Sequence, residues 1–477
     1  MPDRWIVISL DAFANLAIGA YGSSWNTTPS IDGIASRGIT WDRSVVTSDD
    51  TVQTLRDCWT APQEMASHGD VGVGDWIAKC RKHGRVELIL GDDPGGHDQS
   101  KKLAQLAGEV GFDRCTMIEV NVGEEPSDEI ESTAIAQLFA ALVDRLQEVT
   151  EAEASGTAAG SVWSVLWLHS DLLARHWDAP RWLFPVDEVD EPSEASDELD
   201  EDEYEDAEDD IEEIEVEVEV EVQYADFSDD SLERDVAFEP ASEDFRPPSY
   251  AFDLLPDPSF DPTLEDDEEQ QGGPPELVDS VTPPDYRIGP DDHPDWVMTW
   301  MQTYGCQVRL VDQLIAMVAE TIKQIDPSIG LAVVGTSGFS FGQNGWIGHR
   351  AGPLCSPQIQ VPAIVQARSG PMLRWPRLSS LAEVVQRIVP GQGAPSPEFW
   401  AGLSDFEPQR DEATAPRRAP EVRTRSDRAA AAITTGQWFF VRDDDATRLF
   451  LKPDDRDDVN DVADRCRDVV DEFLEKF

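Results

Sequence analysis

The stretch Trp5-Ile6-Val7-Ile8-Ser9-Leu10-Asp11 is an apolar run that closes on a carboxylate. Downstream come Ala20-Tyr21-Gly22, Thr28-Pro29-Ser30-Ile31-Asp32-Gly33-Ile34-Ala35, Gly38-Ile39-Thr40-Trp41-Asp42 and Val46-Thr47-Ser48-Asp49-Asp50-Thr51. The apolar run reads as a strand buried on both faces. Thr28 followed by Pro29 reads as a helix start, a capping hydroxyl and then a ring whose missing N–H has no partner in a first turn anyway. That helix ends near Gly38, so the first 60 residues read strand, loop, helix, strand, loop.

The same alternation continues outward. Val73, Trp76, Ile77 and Cys80 share one face of an expected helix from Val71 to His83, and Arg85 to Leu90 reads as a short strand before the turn-rich Gly91–Gly96. Ile135, Leu138, Phe139, Leu142 and Leu146 recur at helical spacing from Ala134 to Val149; Glu151 to Gly160 reads as a loop, and Val162 to Leu168 is another buried strand. Past Trp296 a long helix is expected to Ile325, with strands at Gly330–Thr336 and Val361–Val365. Apolar strands alternating with amphipathic helices predict an α/β protein, a mostly parallel central sheet flanked by helices. A basic, proline-rich linker from about Glu407 to Arg428 leads to a small C-terminal α+β subdomain: strands at Trp438–Val441 and Arg448–Leu451, then a helix from Val459 to Phe477. The expected organisation is 1–186 and 293–406 as two parts of one α/β domain, 187–292 as an insertion, 407–428 as a linker and 429–477 as the subdomain.

The net charge of −59 over 477 residues is concentrated in that insertion. Residues 187–292 hold 43 of the 96 acidic side chains and 3 of the 37 basic ones, a net of −40. So much charge with so few large apolar residues reads as disorder. Glu215-Val216-Glu217-Val218-Glu219-Val220-Glu221-Val222 alternates with period two and could form one strand with a valine face. The Asp-x-Asp-x-Asp-Gly spacing of a dedicated calcium loop is missing, so cation uptake there would be diffuse. The acidic balance disfavours nucleic acid and anionic membrane as partners, since no basic patch exists to displace their counterions. The six cysteines are far apart and without Cys-x-x-Cys spacing, which argues against a zinc site and for free thiols. No secretory leader and no apolar stretch near 18 residues is read, so a cytoplasmic protein is expected.

The N-terminal segments together resemble the sulfatases of the alkaline phosphatase superfamily: a buried strand closing on Asp-Asp, a "CYG" turn, "TPNLDRLAAEG", and "TSPxCxPSR". Further segments match in order. Tyr304–Asp312 is similar to "YxAxVxYxD", Trp177-Asp178-Ala179-Pro180 to "WDAP", Ile433–Trp438 to "IRTGRW", and Asn460–Asp464 to the tail motif. The resemblance implies a divalent metal, calcium or magnesium, held by carboxylates, with a nucleophile attacking a sulfuryl or phosphoryl group in line. It makes Asp11 a metal ligand and Thr51 the nucleophile position.

The remaining positions depart from the family. The second carboxylate is Ala12, and "PSR" becomes Gln53-Thr54-Leu55 with Arg56 one residue late. The "GKWHLG" lysine and histidine fall near Asp92 and Pro94. "TSDHG" is Thr336-Ser337-Gly338-Phe339-Ser340, so both ligands of that motif are replaced, and the lysine of the "KGxLYEE" motif falls on Ala351, just after His349 and Arg350. One carboxylate is too few fixed ligands for a dedicated divalent site, so no cofactor is expected unless the site is rebuilt. Asp11 then reads as a strand-end capping carboxylate, and Thr51 as a loop hydroxyl or helix cap. Asp49, Asp50, His169, His176, His349 and Arg350 are the other candidates for the cleft.

The expected function is therefore a sulfatase-like, catalytically degenerate protein serving as a binding or interaction module for an unidentified protein or small molecule. The alternative is a divergent sulfuric or phosphoric ester hydrolase with a rearranged metal-dependent site. A third reading makes the acidic segment a low-affinity sponge for calcium or polycations.

Overall fold

A computed structural model describes residues 4–60, 76–92, 98–155, 162–184, 274–367, 372–391, 421–426, 430–443 and 446–477. Eight strands form the main sheet: β1 (Trp5–Leu10), β2 (Ile39–Trp41), β3 (Arg85–Asp92), β4 (Arg114–Glu119), β5 (Trp163–Ser170), β6 (Gly330–Gly335), β7 (Ala363–Gln366) and β8 (Leu373–Trp375). Their order across the sheet is β8-β2-β7-β6-β1-β5-β3-β4. All pairings are parallel except those of β7 with β2 and β6, so β7 alone runs against the rest.

The opening run is the central strand. All six residues of β1 are buried between β5 and β6, which is why the sequence needs apolar side chains on both faces there. Ile6, Ile8 and Leu10 pack on one side with α5 (Ala134–Ala154) and α6 (Trp296–Ile325). Val7 packs on the other with α2 (Thr51–Thr60), α3 (Trp76–Arg81), α4 (Asp98–Val110) and α7 (Leu381–Gln386). The sheet thus has a hydrophobic core on each face, and the loops leaving the C-terminal ends of β1, β5 and β6 converge, the usual place for a site in a parallel sheet.

Two motifs quoted from the sequence meet. The α1 helix (Pro29–Ala35) is held by Asp312 of α6, whose buried carboxylate accepts from the amides of Ser30 (3.1 Å) and Ile31 (2.8 Å). These are two of the four donors that a helix start leaves unpaired.

Several elements differ from the sequence expectation. The strand expected over Val361–Val365 is divided at Pro362. Gln360–Val361 pairs with Ser44–Val45, and only β7 joins the main sheet, because proline has no N–H for a ladder. The C-terminal unit is a four-stranded antiparallel sheet rather than two strands: β9 (Glu421–Arg425), β10 (Ala431–Thr435), β11 (Trp438–Asp443) and β12 (Ala446–Leu451). β9 lies within the span read as linker. The terminal helix α8 is short, Arg467–Leu474, and stacks Phe473 on Phe440 at 5.3 Å. Residues before it are held out of helix by Asp455, which accepts from the amides of Val459 and Asn460, each at 2.9 Å.

Most of the acidic segment, including its alternating Glu-Val run, lies outside the described residues, as do 71–75 of the helix expected from Val71. Its last part does not: 274–292 carries a strand, Asp285–Arg287, antiparallel to Trp346–Gly348, with Leu277 and Ile288 against the core. A few apolar residues among the acids anchor it there, a signal that average composition hides. None of the six cysteines is in a disulfide; four are buried and two half-buried. Among the described residues no helix is long and apolar enough to cross a membrane.

Candidate functional site

The site forms where β1 ends. Asp11 is 1% exposed, and both of its carboxylate oxygens are engaged. Oδ2 accepts from Thr51 Oγ1 at 2.7 Å and from Gln99 Nε2 at 3.4 Å. Oδ1 accepts from Thr336 Oγ1 at 3.2 Å and from Ser337 Oγ. The His349 and Arg350 side chains each stand 3.7 Å from Oδ1. The Arg350 Nη2 also donates to Thr51 Oγ1. Burial alone would push the Asp11 carboxyl up. The Arg350 guanidinium first, then the neighbouring His349 and His169 rings and the Ser337 hydroxyl, outweigh burial and hold it well below the usual carboxylate range.

Ser337 links the parts. Its hydroxyl accepts from the Ala12 amide at 2.8 Å and lies 2.8 Å from His349 Nε2, while its carbonyl accepts from the Phe13 amide at 2.8 Å. An ionised carboxylate only accepts, so the Ser337 proton goes to Asp11 and His349 Nε2 must be a donor. Tyr304 clamps the same turn, donating to Ala12 C=O at 2.7 Å and accepting from the Ala14 amide at 3.0 Å.

Thr51 is fully buried and is the first residue of α2 rather than its cap. The capping carboxylate is Asp50, which accepts from the Gln53 amide at 2.8 Å. Asp49 accepts from the Ser426 hydroxyl and, with Arg350, Gln358 and Asp443, lines a small cleft against the C-terminal subdomain. His169 is buried at the end of β5 with Nδ1 3.0 Å from the Ser9 hydroxyl, and its Nε2 has no hydrogen-bond partner among the described residues. Burial pushes the His169 ring down, against the pull of Asp11 and Asp171. His176 sits apart, 3.5 Å from Asp178, a carboxylate that caps α5 through the Ala134 amide.

Of the sequence candidates, Asp11, Thr51, His349 and Arg350 come together, His169 lies close enough to feel the Asp11 charge, and Asp49, Asp50 and His176 serve other contacts. The sequence reading missed Ser337, Thr336 and Gln99. Thr336 and Ser337 stand just before Gly338 and Phe339, the two positions of the "TSDHG" motif at which the resemblance puts metal ligands. Gln99 had no local signal, because only the packing of α4 against α2 and β3 brings it in.

Apart from Asp11, the positions that the resemblance makes metal ligands carry no donor side chain. Ala12 is buried and has no donor. A Cβ on Gly338 would stand 1.9 Å from the carbonyl oxygen of Pro357, so no side chain fits. Phe339 is fully buried among Tyr304 (5.6 Å between ring centroids), Trp177 (5.4 Å) and Phe341 (4.7 Å). Among the described residues no group of three or more His, Cys, Asp or Glu stands together in a metal-binding arrangement. Residues 93–97, next to the "GKWHLG" position, lie outside the described residues. Nor is a reactive thiol at hand: burial lifts Cys306 to about 11 and Cys355 to about 12.

No family profile and no curated protein matches the sequence. Solved structures do match. The chain is similar to the phosphonate monoester hydrolase of Agrobacterium radiobacter, with a TM-score of 0.54 and 13% identity over 99% of this chain and 94% of that one. It is similar to a protein solved with its substrate D-glucosamine-2-N,6-O-disulfate, at TM-score 0.54 and 12% identity over 99% and 97%. It is similar to a 2-O GAG sulfatase at TM-score 0.52 and 11% identity over 99% and 92%. The chain thus has a sulfatase-like fold. At such identities the likeness is one of fold, and the site has to be judged on its own residues.

Proposed function

We propose that this protein is a sulfatase-fold binding or interaction module in which the metal-dependent ester chemistry of that fold has been lost. The observation that carries the reading is the pair Gly338 and Phe339. One has no room for a side chain and the other anchors an aromatic cluster, so the missing ligands are not merely substituted but built over. The partner is a protein or small molecule rather than nucleic acid or membrane, in line with the net charge of −59. A cytoplasmic setting agrees with six cysteines outside any disulfide.

The test is metal content and turnover. Protein dialysed against calcium or magnesium should carry no stoichiometric ion that Asp11→Ala removes, and should not hydrolyse aryl sulfates or phosphates. Turnover abolished by Thr51→Ala would overturn the reading.

One observation favours the alternative of a divergent sulfuric or phosphoric ester hydrolase. Thr51 Oγ1 starts a ten-residue helix and donates to a buried, ionised carboxylate at 2.7 Å, the arrangement of a hydroxyl nucleophile beside its base. Against it stands the full burial of Thr51.

A further inference from the structure

The turn that carries His349 and Arg350 is unusual in its backbone. Gly345, Gly348, Arg350 and Gly352 all have φ in the left-handed region, at 74°, 147°, 58° and 68°. Three of the four are glycine, the residue that accepts this conformation without steric cost. Gly352 could be nothing else, since a Cβ there would lie 2.4 Å from the Trp346 ring. Arg350 keeps a side chain where glycine would relieve strain, and strain of this kind persists where the surroundings require the residue.

What Arg350 supplies is charge. Its Nη2 bonds Thr51 Oγ1 and stands 3.7 Å from Asp11 Oδ1, with the His349 Nε2 at 3.7 Å from the same oxygen. The Asp11 carboxylate is buried, and a buried charge is costly unless paired. Apart from Asp11 itself, the positions from which the resemblance would bring a divalent ion, Ala12, Gly338 and Phe339, offer no donor. Arg350 is also the residue immediately before Ala351, where the family's lysine falls.

We propose that Arg350 is a built-in counter-cation for Asp11, with His349 beside it as a hydrogen-bond donor to Ser337: the strained turn exists to deliver a guanidinium that does the electrostatic work of a metal, so that β1 can end on a buried charge with no ion bound. This rests on the metal-free reading given above. It implies that the strain at 350 and the charge at 11 depend on each other.

The experiment is a double-mutant cycle on the full chain, read as thermal and urea midpoints, for wild type, Arg350→Gly, Asp11→Asn and the double variant, with metal content measured on each. Arg350→Gly should lower the midpoint in wild type. In the Asp11→Asn background, where there is no charge to pair, the same change should leave the midpoint unchanged or raise it. Equal losses in both backgrounds, or a gain in wild type, would overturn the proposal. Should Asp11→Asn fail to fold, Arg350→Lys and Arg350→Met decide: the charged variant should keep more of the midpoint, and equal losses overturn the idea. A stoichiometric ion lost in Asp11→Asn would sink the metal-free reading and this one together. An additive cycle without metal sinks this one alone.

Discussion

Gly338 lies so close to Pro357 that a Cβ on the glycine would meet the proline carbonyl oxygen at 1.9 Å. The backbone of the loop after β6 and that of the helical turn Ser356–Ile359 are in direct contact, tied by the Gly338 amide donating to Gln358 C=O at 2.8 Å. Restoring the family's carboxylate by Gly338→Asp should therefore cost stability without creating a metal site. Overpacking of this kind usually costs about 1–3 kcal/mol, and an obstacle made of backbone belongs at the upper end. Urea midpoints for Gly338→Ala and Gly338→Asp would show it. A magnesium- or calcium-dependent rise in the midpoint of the aspartate variant would contradict the account.

Phe339 is the centre of an aromatic cluster, and Phe339→His, the family residue, should be destabilising too. Truncation to alanine in such a core costs about 3–5 kcal/mol. The histidine keeps some volume but brings two ring nitrogens among the rings of Tyr304, Trp177 and Phe341, so its loss should be near that of alanine. Thermal unfolding of the two variants side by side tests the ranking.

The held-down Asp11 carboxyl makes stability depend on acid. A carboxyl whose folded pKa lies below its unfolded value of about 3.9 contributes stability that is complete above that value and lost as pH falls through and below it. Stability curves at pH 7, 5, 4 and 3 should show a drop below pH 4 that is shallower in Asp11→Asn. An equally steep drop in both proteins would remove Asp11 from the account.

His169 acts in a higher window with the same sign. Its folded pKa is lowered, chiefly by burial, so the unfolded chain takes up a proton that the folded one resists. Stability should decline as pH falls through about 6.5. His169→Gln should flatten the decline between pH 7 and 5, measured by urea unfolding.

The cap on α1 gives a test away from the site. Asp312→Ala leaves the Ser30 and Ile31 amides without their acceptor and should cost about 1–3 kcal/mol; Asp312→Asn, which keeps one acceptor oxygen, should cost less. Loss of helical signal together with a lowered midpoint would be the expected pair of observations.

The sequence by itself determined the centre of the sheet, while its two edge strands, β4 and β8, went unread. The apolar runs at Trp5–Leu10 and Gly330–Gly335 had to be central strands, because nothing else buries both faces of so short a segment, and the spacing of Trp296–Ile325 fixed a long helix to its last residue. Local chemistry also revealed that the metal-ligand positions were empty, since Ala12, Gly338 and Phe339 carry no donor whatever the fold. Pro362 was read as part of one strand over Val361–Val365, and the structure divides that strand at the proline between two sheets.

Tertiary structure alone decided what took the place of the lost ligands. Thr51, Gln99, Ser337 and Arg350 are 40, 88, 326 and 339 residues from Asp11 in the chain, and no local pattern couples them. The left-handed backbone at Arg350 and the overlap at Gly338 are likewise set by packing between loops. A buried charge constrains whatever surrounds it in space, and the sequence shows only that the charge is there.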